Sequence, residues 1–314
     1  MLAPALGMVL VPKAIREYVA ELPHPAGLMG CRASGAGKMS HDCCEYDIAV
    51  FGHGQDRLDK VGAHYVVELV HITGRQRDHL VALKDIEIIT DSKAFSVSSA
   101  LKAIGEERFK KALYASGRKA LTSSLFYQQR FKIASEKQHQ AAAGAMWLKI
   151  ASYHLVAGTL AVFGTRPMPT HELAQARQVK DLPADMTDGI QAALECIGIE
   201  RATRPGITRS IEATLELKSN DYDRWLIRAK IQHLLESSML ADCYYYAGKV
   251  AADNLRNRSN VSFFTRYAKL IQLAMDLSGD EQRLAKLQKS MSLAAKRGLR
   301  PRIAANSTTT STFS

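Results

Sequence analysis

The sequence has few of the features that would assign it to a class at once. Its 314 residues include only 5 cysteines, 9 prolines and 2 tryptophans, and it shows no internal repeat. An odd number of cysteines, two of them adjacent, is a poor basis for a disulfide framework, so we expect a reducing cytoplasm. The N-terminus has no positive stretch ahead of its apolar residues, which argues against a signal peptide.

Long uninterrupted apolar runs are also missing. The most apolar stretch, residues 141–164, contains Lys149 and His154, which leave segments too short to cross a bilayer. We therefore expect a buried core helix in a soluble protein that binds no membrane. Hydrophobic residues make up 46% and charged residues 23% of the chain, which is ordinary for a globular protein, and the length suits two domains.

Acidic residues are scarce in only one part of the chain. Residues 1–95 hold 10 Lys and Arg against 12 Asp and Glu, whereas residues 96–314 hold 32 against 19. The net charges are therefore −2 and +13. A strongly basic surface attracts anions, so RNA or another anionic acceptor is an expected partner of the second part. Basic helices that only present solvated faces explain the same charge equally well.

The periodicity of the sequence changes near residue 95. Before it, a helix opened by Pro12 is predicted over 13–22, and short apolar or alternating runs predict strands over 26–30, 46–51, 64–72 and 79–90. After it, helical periodicity predicts helices over 99–116, 118–136, 140–163, 171–179, 187–197, 207–218, 220–257, 260–277 and 280–297.

These patterns define the predicted fold class. We predict an α+β protein in which a small mixed-sheet α/β domain occupies residues 1–95 and an all-α helical domain occupies residues 96–298. The segment 299–314 lacks apolar periodicity and is predicted to be a disordered tail. The oligomeric state stays open, with a homo-oligomer as one option.

Residues that could carry chemistry concentrate between positions 26 and 51. An apolar strand runs into a loop of small residues, and a second strand then opens with two acids. The polar and small residues of interest are Gly30, Cys31, Arg32, Lys38, Glu45 and Asp47. The period of two in a strand puts both acids on one face, where they can share divalent cations. A tight glycine turn opposite them would offer backbone N–H groups to phosphate.

The run Gly30-Cys31-Arg32-Ala33 followed by Glu45-Tyr46-Asp47-Ile48-Ala49-Val50 resembles the signature of DNA polymerase beta-like nucleotidyltransferases. In that family a Gly-Ser turn precedes an acid-x-acid motif on a strand, and the resemblance covers roughly the first 95 residues. It implies transfer of a nucleoside monophosphate from a nucleoside triphosphate, such as ATP, to a hydroxyl acceptor.

The resemblance also implies roles for the individual residues. Gly30 and Cys31 would hold the triphosphate, Arg32 and Lys38 would neutralise its charge, and the metal ligands Glu45 and Asp47 would bind two Mg²⁺ ions.

Two of these positions depart from the family pattern. Cys31 stands where Ser is usual, and a thiol is a weaker hydrogen-bond donor than a hydroxyl. Glu45 replaces a commoner Asp, and its extra methylene shifts the carboxylate. A non-catalytic nucleotide- or RNA-binding protein on a degenerate nucleotidyltransferase fold is therefore the alternative.

A third acid on a later strand is a further implication of the resemblance. In the predicted strand 79–90, Asp85 and Glu87 fall on one face, and acids in an apolar strand are costly unless paired or metal-bound. We choose Glu87 as the third metal ligand, and Glu87 or Asp85 as the catalytic residue that completes the site or deprotonates the acceptor. Glu68 is a separate candidate. A solvated edge strand explains the same acids equally well.

Two competing motifs use residues from the same segment. The run SGAGKMS resembles a P-loop, but Arg32 stands where that motif needs Gly and Met39 where it needs Ser or Thr. Zinc ligands of suitable type are also present, but no C-x₂₋₄-C pair is matched by a second pair, so zinc is not predicted. The residues concerned are Cys31, His41, Cys43, Cys44 and His53.

The helical part carries weaker signals. Segments 146–163 and 169–173 are similar to the HEPN-type and substrate-binding helical domains that accompany such nucleotidyltransferases. There Thr170 is the predicted N-cap, and a packing or capping role is expected for His171. Arg228 and His233 fit the Arg-x₄₋₆-His pattern of HEPN ribonucleases, so metal-free RNA cleavage is a second alternative. A basic stripe on the last helix could contact nucleic-acid phosphates, or could simply be solvated.

Overall fold

The computed structural model describes residues 11–33, 40–73, 77–92, 96–136, 141–217, 221–256, 258 and 261–300. Lys38, most of the P-loop-like run and most of the predicted tail lie outside these residues. The described chain has a strand-rich part followed by a helical part, which confirms the predicted α+β class. We call residues 11–92 the sheet region and residues 96–300 the helical region.

The elements of the sheet region are α1 (Lys13–Ala20), β1 (Ala26–Met29), β2 (Tyr46–Val50), β3 (Arg57–Val61), β4 (Tyr65–His71), α2 (Arg77–Ala82) and β5 (Glu87–Thr90). The helical region begins with α3 (Val97–Ile104), α4 (Glu106–Ser135), α5 (Ala141–Val162), α6 (Glu172–Gln178), α7 (Ala184–Ile197) and α8 (Arg204–Glu216). It continues with α9 (Asp221–Glu236), α10 (Leu240–Arg256), α11 (Val261–Arg266), α12 (Ala268–Met275) and α13 (Glu281–Leu299).

The five strands form one mixed sheet in the order β3-β4-β2-β1-β5. β2 pairs with β4 in parallel, and the other neighbours are antiparallel. Because side chains alternate across a strand, Leu28, Ile48 and Leu69 share one face, where they pack with Ile15 and Val19 of α1. We call this the α1 face. Residues such as Asp47 and Glu68 therefore project from the other face, which we call the site face.

The helical region surrounds the apolar helix α5. One helix in the described chain, Ala142–Val162, is long and apolar enough to cross a membrane, and 89% of its most apolar window is buried against other parts of the protein. α5 packs along α4, and α7 and α13 close the bundle on its other sides. The expectation of a buried core helix is confirmed.

The strand predicted over 79–90 is wrong in its first half. Residues Arg77–Ala82 form α2, a turn follows, and only Glu87–Thr90 is a strand. Leu80 and Leu83 pack into the apolar cluster on the site face, and a short apolar run does not by itself distinguish a helix from a strand. β3 was not predicted, because its sequence RLDKV has only two apolar residues, three positions apart, and so does not alternate; it is an edge strand.

Helix boundaries also differ from the prediction. The break expected at residue 117 lies at Gly105, whose φ of +72° suits glycine, while Gly117 lies inside α4. A Cβ at Gly117 would come within 2.8 Å of the Val162 backbone nitrogen, so this glycine allows α4 and α5 to pack closely. The single helix predicted over 220–257 is divided by a turn at Ser238, with φ of +58°.

Candidate functional site

A cavity of about 310 Å³ lies where the sheet region meets the helical region. It is lined by residues at the end of β1, at the start of β2, in the α5–α6 loop, in α9 and in α10. The chemically reactive side chains on its wall come from both regions. They are Cys31, Cys44, Glu45, Asp47, Arg166, His171, Lys230, Tyr246 and Asp253.

The turn at Gly30 is fitted to the Asp47 carboxylate. β1 ends at Met29, and Gly30 follows with φ of +79°, which opens a 3-10 turn over Gly30–Arg32. A Cβ at this position would lie 1.9 Å from Asp47 Oδ2. Glycine is therefore required here both by its conformation and by the space that the carboxylate occupies. The structure brings the predicted turn and the predicted second acid into direct contact.

Three carboxylates meet on the site face. Carboxylate oxygens of Glu45, Asp47 and Glu68 all lie within 4.8 Å of one another. Asp47 on β2 is paired in parallel register with Glu68 on β4, and residues paired in this way project from the same face. We call this set the acid cluster.

Glu87 and Asp85 are not brought to the acid cluster. Glu87 pairs with Leu28 of β1, so it projects from the α1 face, opposite to Asp47. Asp85 lies in the turn before β5 and is exposed. It faces Arg166, whose pKa it influences, and borders a different surface depression. The prediction that Asp85 and Glu87 share the face of a strand over residues 79–90 was wrong, because α2 and a turn occupy the first part of that segment.

Ionisation of Asp47 in the acid cluster is unfavourable. Burial raises the pKa of Asp47 well above its ordinary value, and the neighbouring Glu45 and Glu68 raise it further. Asp47 Oδ1 is shielded from solvent and has no hydrogen-bond partner among the described residues. A buried acceptor without a partner is uncommon in proteins, so this oxygen is placed to bind a proton or a cation.

Lys230 of α9 forms a buried ion pair with the acid cluster. Its Nζ lies 2.7 Å from both Glu45 oxygens, and the two side chains are 9% and 14% exposed. Burial alone would lower the pKa of Lys230, but Tyr246 and Glu45 raise it overall, so the lysine is charged. The pair also fixes α9 of the helical region against the start of β2.

Arg166 reaches the cavity from the loop between α5 and α6. Gln175 holds this loop by accepting from the Met168 nitrogen at 3.0 Å and donating to the Arg166 carbonyl at 2.9 Å. The Arg166 guanidinium donates to the Ala82 carbonyl at 2.8 Å. Burial lowers its pKa, and the charge of Asp47 opposes that shift. Two cations of the helical region thus stand beside the acids of the sheet region.

A second cluster contains sulfur and imidazole groups. Ligand atoms of Cys31, Cys44 and His171 lie within 4.8 Å of one another, and all three residues are buried. His171 Nε2 is 3.5 Å from Cys44 Sγ. Hydrogen bonds from the Cys31 and Cys43 thiols lower the pKa of Cys44, and His171 lowers it further. We call Cys31, Cys44 and His171 the thiol–imidazole cluster.

His171 does not have the local surroundings that the sequence suggested. It is itself the residue that precedes α6, and its carbonyl accepts from the Gln175 nitrogen at 2.9 Å, so the predicted N-cap Thr170 lies one residue too early. The imidazole makes no cap hydrogen bond. The first-turn Glu172 is buried, where it pairs with Lys249 at 3.2 Å and accepts from Tyr245 at 2.9 Å.

Arg32 is engaged by the protein itself. Its guanidinium donates to the carbonyls of Cys44, at 2.7 and 3.0 Å, and of His41 and Asp42, both at 3.2 Å. It also stacks 4.3 Å from the Tyr46 ring centroid. These contacts close the loop that carries Cys44 and Glu45. The other predicted phosphate-binding cation, Lys38, lies outside the described residues.

Arg228 and His233 are not brought together. Both lie on α9, but five residues turn a helix by about 140°, so the two side chains point in different directions. Arg228 is exposed and pairs with Glu212 at 3.1 Å, whereas the His233 ring lies 5.5 Å from that of His41. In the basic stripe of α13, Arg283 pairs with Glu195 at 2.8 Å, and Lys286 and Lys289 are exposed.

Sequence reasoning gave no role to two residues of this cavity, Arg166 and Lys230. Lys230 was detectable, because it falls on the same helical face as the apolar Ile227, Ile231 and Leu234, where a lysine needs a buried partner. Arg166 carried only the weak signal of a cation in a proline-containing loop.

Comparison of the chain with protein families, with curated proteins and with solved structures finds no match. The functional argument therefore rests on the site itself. Its carboxylates can bind a hard cation, and its Arg166 and Lys230 can face an anion. Its thiol–imidazole cluster offers softer ligands.

Proposed function

We propose that the protein transfers a nucleoside monophosphate from a nucleoside triphosphate to a hydroxyl acceptor. The observation that carries this proposal is the acid cluster directly behind the Gly30 turn. The motif resemblance calls for two acids on one strand, a third acid on another strand and a glycine turn beside them. Asp47 on β2, Glu45 directly before β2, Glu68 on β4 and the Gly30 turn approximate this arrangement.

The residues present fit a divalent metal ion. Carboxylate oxygens are the ligands that Mg²⁺ prefers, and the shielded Asp47 Oδ1 has no protein partner among the described residues. We propose that Asp47, Glu68 and Glu45 hold Mg²⁺, with Glu68 in the role expected of Glu87. When bound, the metal supplies charge neutralisation at the phosphates. To bind Mg²⁺, Glu45 would have to turn one of its carboxylate oxygens from Lys230 to the metal ion.

The remaining residues bind and orient the substrates. Gly30 is in contact with Asp47, and the backbone N–H groups of its turn would donate hydrogen bonds to phosphate oxygens. Arg166 would balance the negative charge of pyrophosphate. The acceptor oxygen bonds to the α-phosphorus as the bond to pyrophosphate breaks. Its proton passes to a carboxylate of the acid cluster.

Transfer of label tests this proposal. The protein is incubated with α-³²P-labelled ATP, GTP, CTP or UTP, Mg²⁺ or Mn²⁺, and RNA, protein and small-molecule acceptors. We expect metal-dependent labelling of one acceptor class that is lost in Asp47→Asn and in Glu68→Gln. Glu87→Gln is the matched control and should label normally. Labelling that survives Asp47→Asn would contradict the proposal.

The Lys230–Glu45 ion pair favours a second candidate, a non-catalytic nucleotide- or RNA-binding protein. A lysine that neutralises one acid of the cluster can take the place of a metal ion. On this proposal, RNA binding is salt-sensitive and survives Asp47→Asn, and no acceptor is labelled under any metal condition. Filter binding at two salt concentrations distinguishes the two candidates.

The location proposed for either activity is a reducing cytoplasm. All five cysteines are free. Four of them are buried, and Cys43 is partly exposed.

A further inference from the structure

The thiol–imidazole cluster brings together residues that are far apart in sequence. Cys31 follows β1, Cys44 precedes β2, and His171 lies before α6, 127 residues after Cys44. All three are buried, and each presents a ligand atom to the same point. Packing alone needs no such convergence of two thiols and an imidazole.

The distances fit a tetrahedral site for a zinc-like ion. With metal–sulfur and metal–nitrogen bonds of about 2.3 and 2.0–2.1 Å, neighbouring ligands in a tetrahedron are separated by about 3.6 Å for S and N and about 3.8 Å for two S atoms. The observed separation of Cys44 Sγ and His171 Nε2 is 3.5 Å, and all three ligand atoms lie within 4.8 Å of each other.

The surroundings supply the outer contacts that such a site needs. The His41 backbone nitrogen lies 3.3 Å from Cys44 Sγ, and N–H groups directed at a ligating sulfur stabilise its negative charge. Arg32 holds the backbone of residues 41–44 through their carbonyls, so the position of Cys44 is fixed before a metal ion arrives. Two sulfurs and one imidazole select zinc over Mg²⁺, which prefers oxygen.

The three ligand residues border the cavity. Cys31, Cys44 and His171 all line the 310 Å³ cavity, and Cys43 does not. The Cys43 thiol donates to Cys44 and borders a separate depression next to Tyr65 and Trp225, which Cys44 also borders. His41 does not line that cavity. A site with three protein ligands and one open position admits water or a ligand from the cavity.

We propose that Cys31, Cys44 and His171 bind one zinc ion, with the fourth position open to the cavity shared with the acid cluster. The zinc ion joins the sheet region to the helical region through His171. This proposal does not depend on nucleotidyl transfer, and it assigns Cys31 to the metal rather than to a phosphate.

Metal content tests the proposal on the full chain. The reduced protein is stripped with chelator, reloaded with zinc, freed of excess metal and measured by mass spectrometry of the metal. We expect about one zinc per chain in the wild type and loss of that zinc in Cys31→Ser, Cys44→Ser and His171→Gln. The controls Cys43→Ser and Asp47→Asn should keep it. Retention in Asp47→Asn also separates this site from the acid cluster, whatever the outcome of the transfer assay.

Cobalt gives a test that needs no variant. Co²⁺ added to the stripped wild type should produce intense tetrahedral visible bands and a thiolate-to-cobalt band in the near ultraviolet, and zinc should remove both. A weak octahedral spectrum, or a wild type that keeps no zinc, would overturn the proposal. Zinc that is lost in Cys43→Ser but retained in Cys31→Ser would overturn it as well.

Discussion

The two faces of the sheet differ in what the same strands present. On the α1 face, Leu28, Ile48 and Leu69 pack against α1 and form a closed apolar layer. On the site face, Asp47 and Glu68 are the alternate residues of β2 and β4. They cluster with Glu45, which pairs with Lys230 of the helical region. A one-residue shift in register would exchange these faces. The apolar face therefore fixes where the acids point.

The difference shows how charge is tolerated on one face. The α1 face gains stability by removing apolar surface from water and needs no partner outside the sheet region. The site face depends on Lys230 and Arg166, which come at least 98 residues further along the chain than any acid of the cluster. Variants that remove a partner from the site face should therefore cost more than variants at solvated positions.

Removal of Lys230 should have the largest effect. Lys230→Met leaves Glu45 buried without its partner, which we expect to lower the free energy of unfolding by about 3–5 kcal/mol. Chemical denaturation measures the change. Arg228→Met on the same helix is the control, because its exposed pair with Glu212 is worth at most about 1 kcal/mol. Glu45→Gln combined with Lys230→Met should recover part of the loss, and no recovery would show that the buried charge is not its cause.

A side chain at Gly30 should be the next most damaging change. Gly30→Ala puts a methyl group on Asp47 Oδ2 and keeps a φ of +79°, so we expect a loss of about 2–4 kcal/mol in the free energy of unfolding. Gly105→Ala is the control, because its φ is +72° and nothing lies within 4 Å of its Cβ. It should lose only about 1 kcal/mol. Equal losses would mean that the contact with Asp47 contributes nothing.

Neutralising Asp47 should have a smaller effect, and one that depends on pH. The folded state raises its pKa, so the folded protein holds the proton more tightly than the unfolded chain does. Below the ordinary pKa of about 3.9, Asp47 is protonated in both states and its ionisation does not lower the free energy of unfolding. As the pH rises from that value through the folded pKa, the loss in free energy of unfolding grows.

Asp47→Asn has no such charge. Measured in chelator, we expect it to be more stable than the wild type at neutral pH, with no gain below about pH 4. Denaturation curves across this pH range provide the measurement. A constant difference at every pH would rule out the buried charge as its origin.

Glu87 should give the smallest effect. Glu87→Gln changes a partly exposed residue on the α1 face, and we expect less than about 0.5 kcal/mol in stability and no change in nucleotide labelling. Glu68→Gln is the comparison on the site face and should abolish labelling. A labelling loss in Glu87→Gln alone would restore Glu87 as the third acid and break the contrast between the faces.

The sequence allowed correct prediction of features that depend on local pattern. Three strands followed from apolar or alternating runs, and the Gly30 turn from the small residues after the first of them. The placement of Glu45 and Asp47 on one face followed from the period of two in a strand. The acid that joins Glu45 and Asp47 could not be predicted in this way, because the choice between Glu68 and Glu87 depends on which strand lies beside β2. The prediction of one strand over residues 79–90 was wrong in its first half, because the apolar residues there suit a helix as well as a strand.

Groups that come from distant segments could not be placed from the sequence. Zinc was not predicted because of the spacing of the cysteines. The structure brings His171 beside Cys31 and Cys44, and the spacing of the cysteines could not indicate this contact. Spacing rules apply to ligands in one loop or one pair of turns, and they contain no information about a ligand 127 residues away. Only the packing of the α5–α6 loop against the sheet brings it into range.

The ion pair between Glu45 and Lys230 spans 185 residues, so its two charges leave the ribosome at different times. At about 5–20 residues per second, the interval between their syntheses is about ten to forty seconds. Over that interval the strands can pair, but the acids of the nascent sheet still face water or take up protons. The cavity becomes complete only when α9 and α10 have been made and have docked, so the site assembles after the sheet that carries its acids.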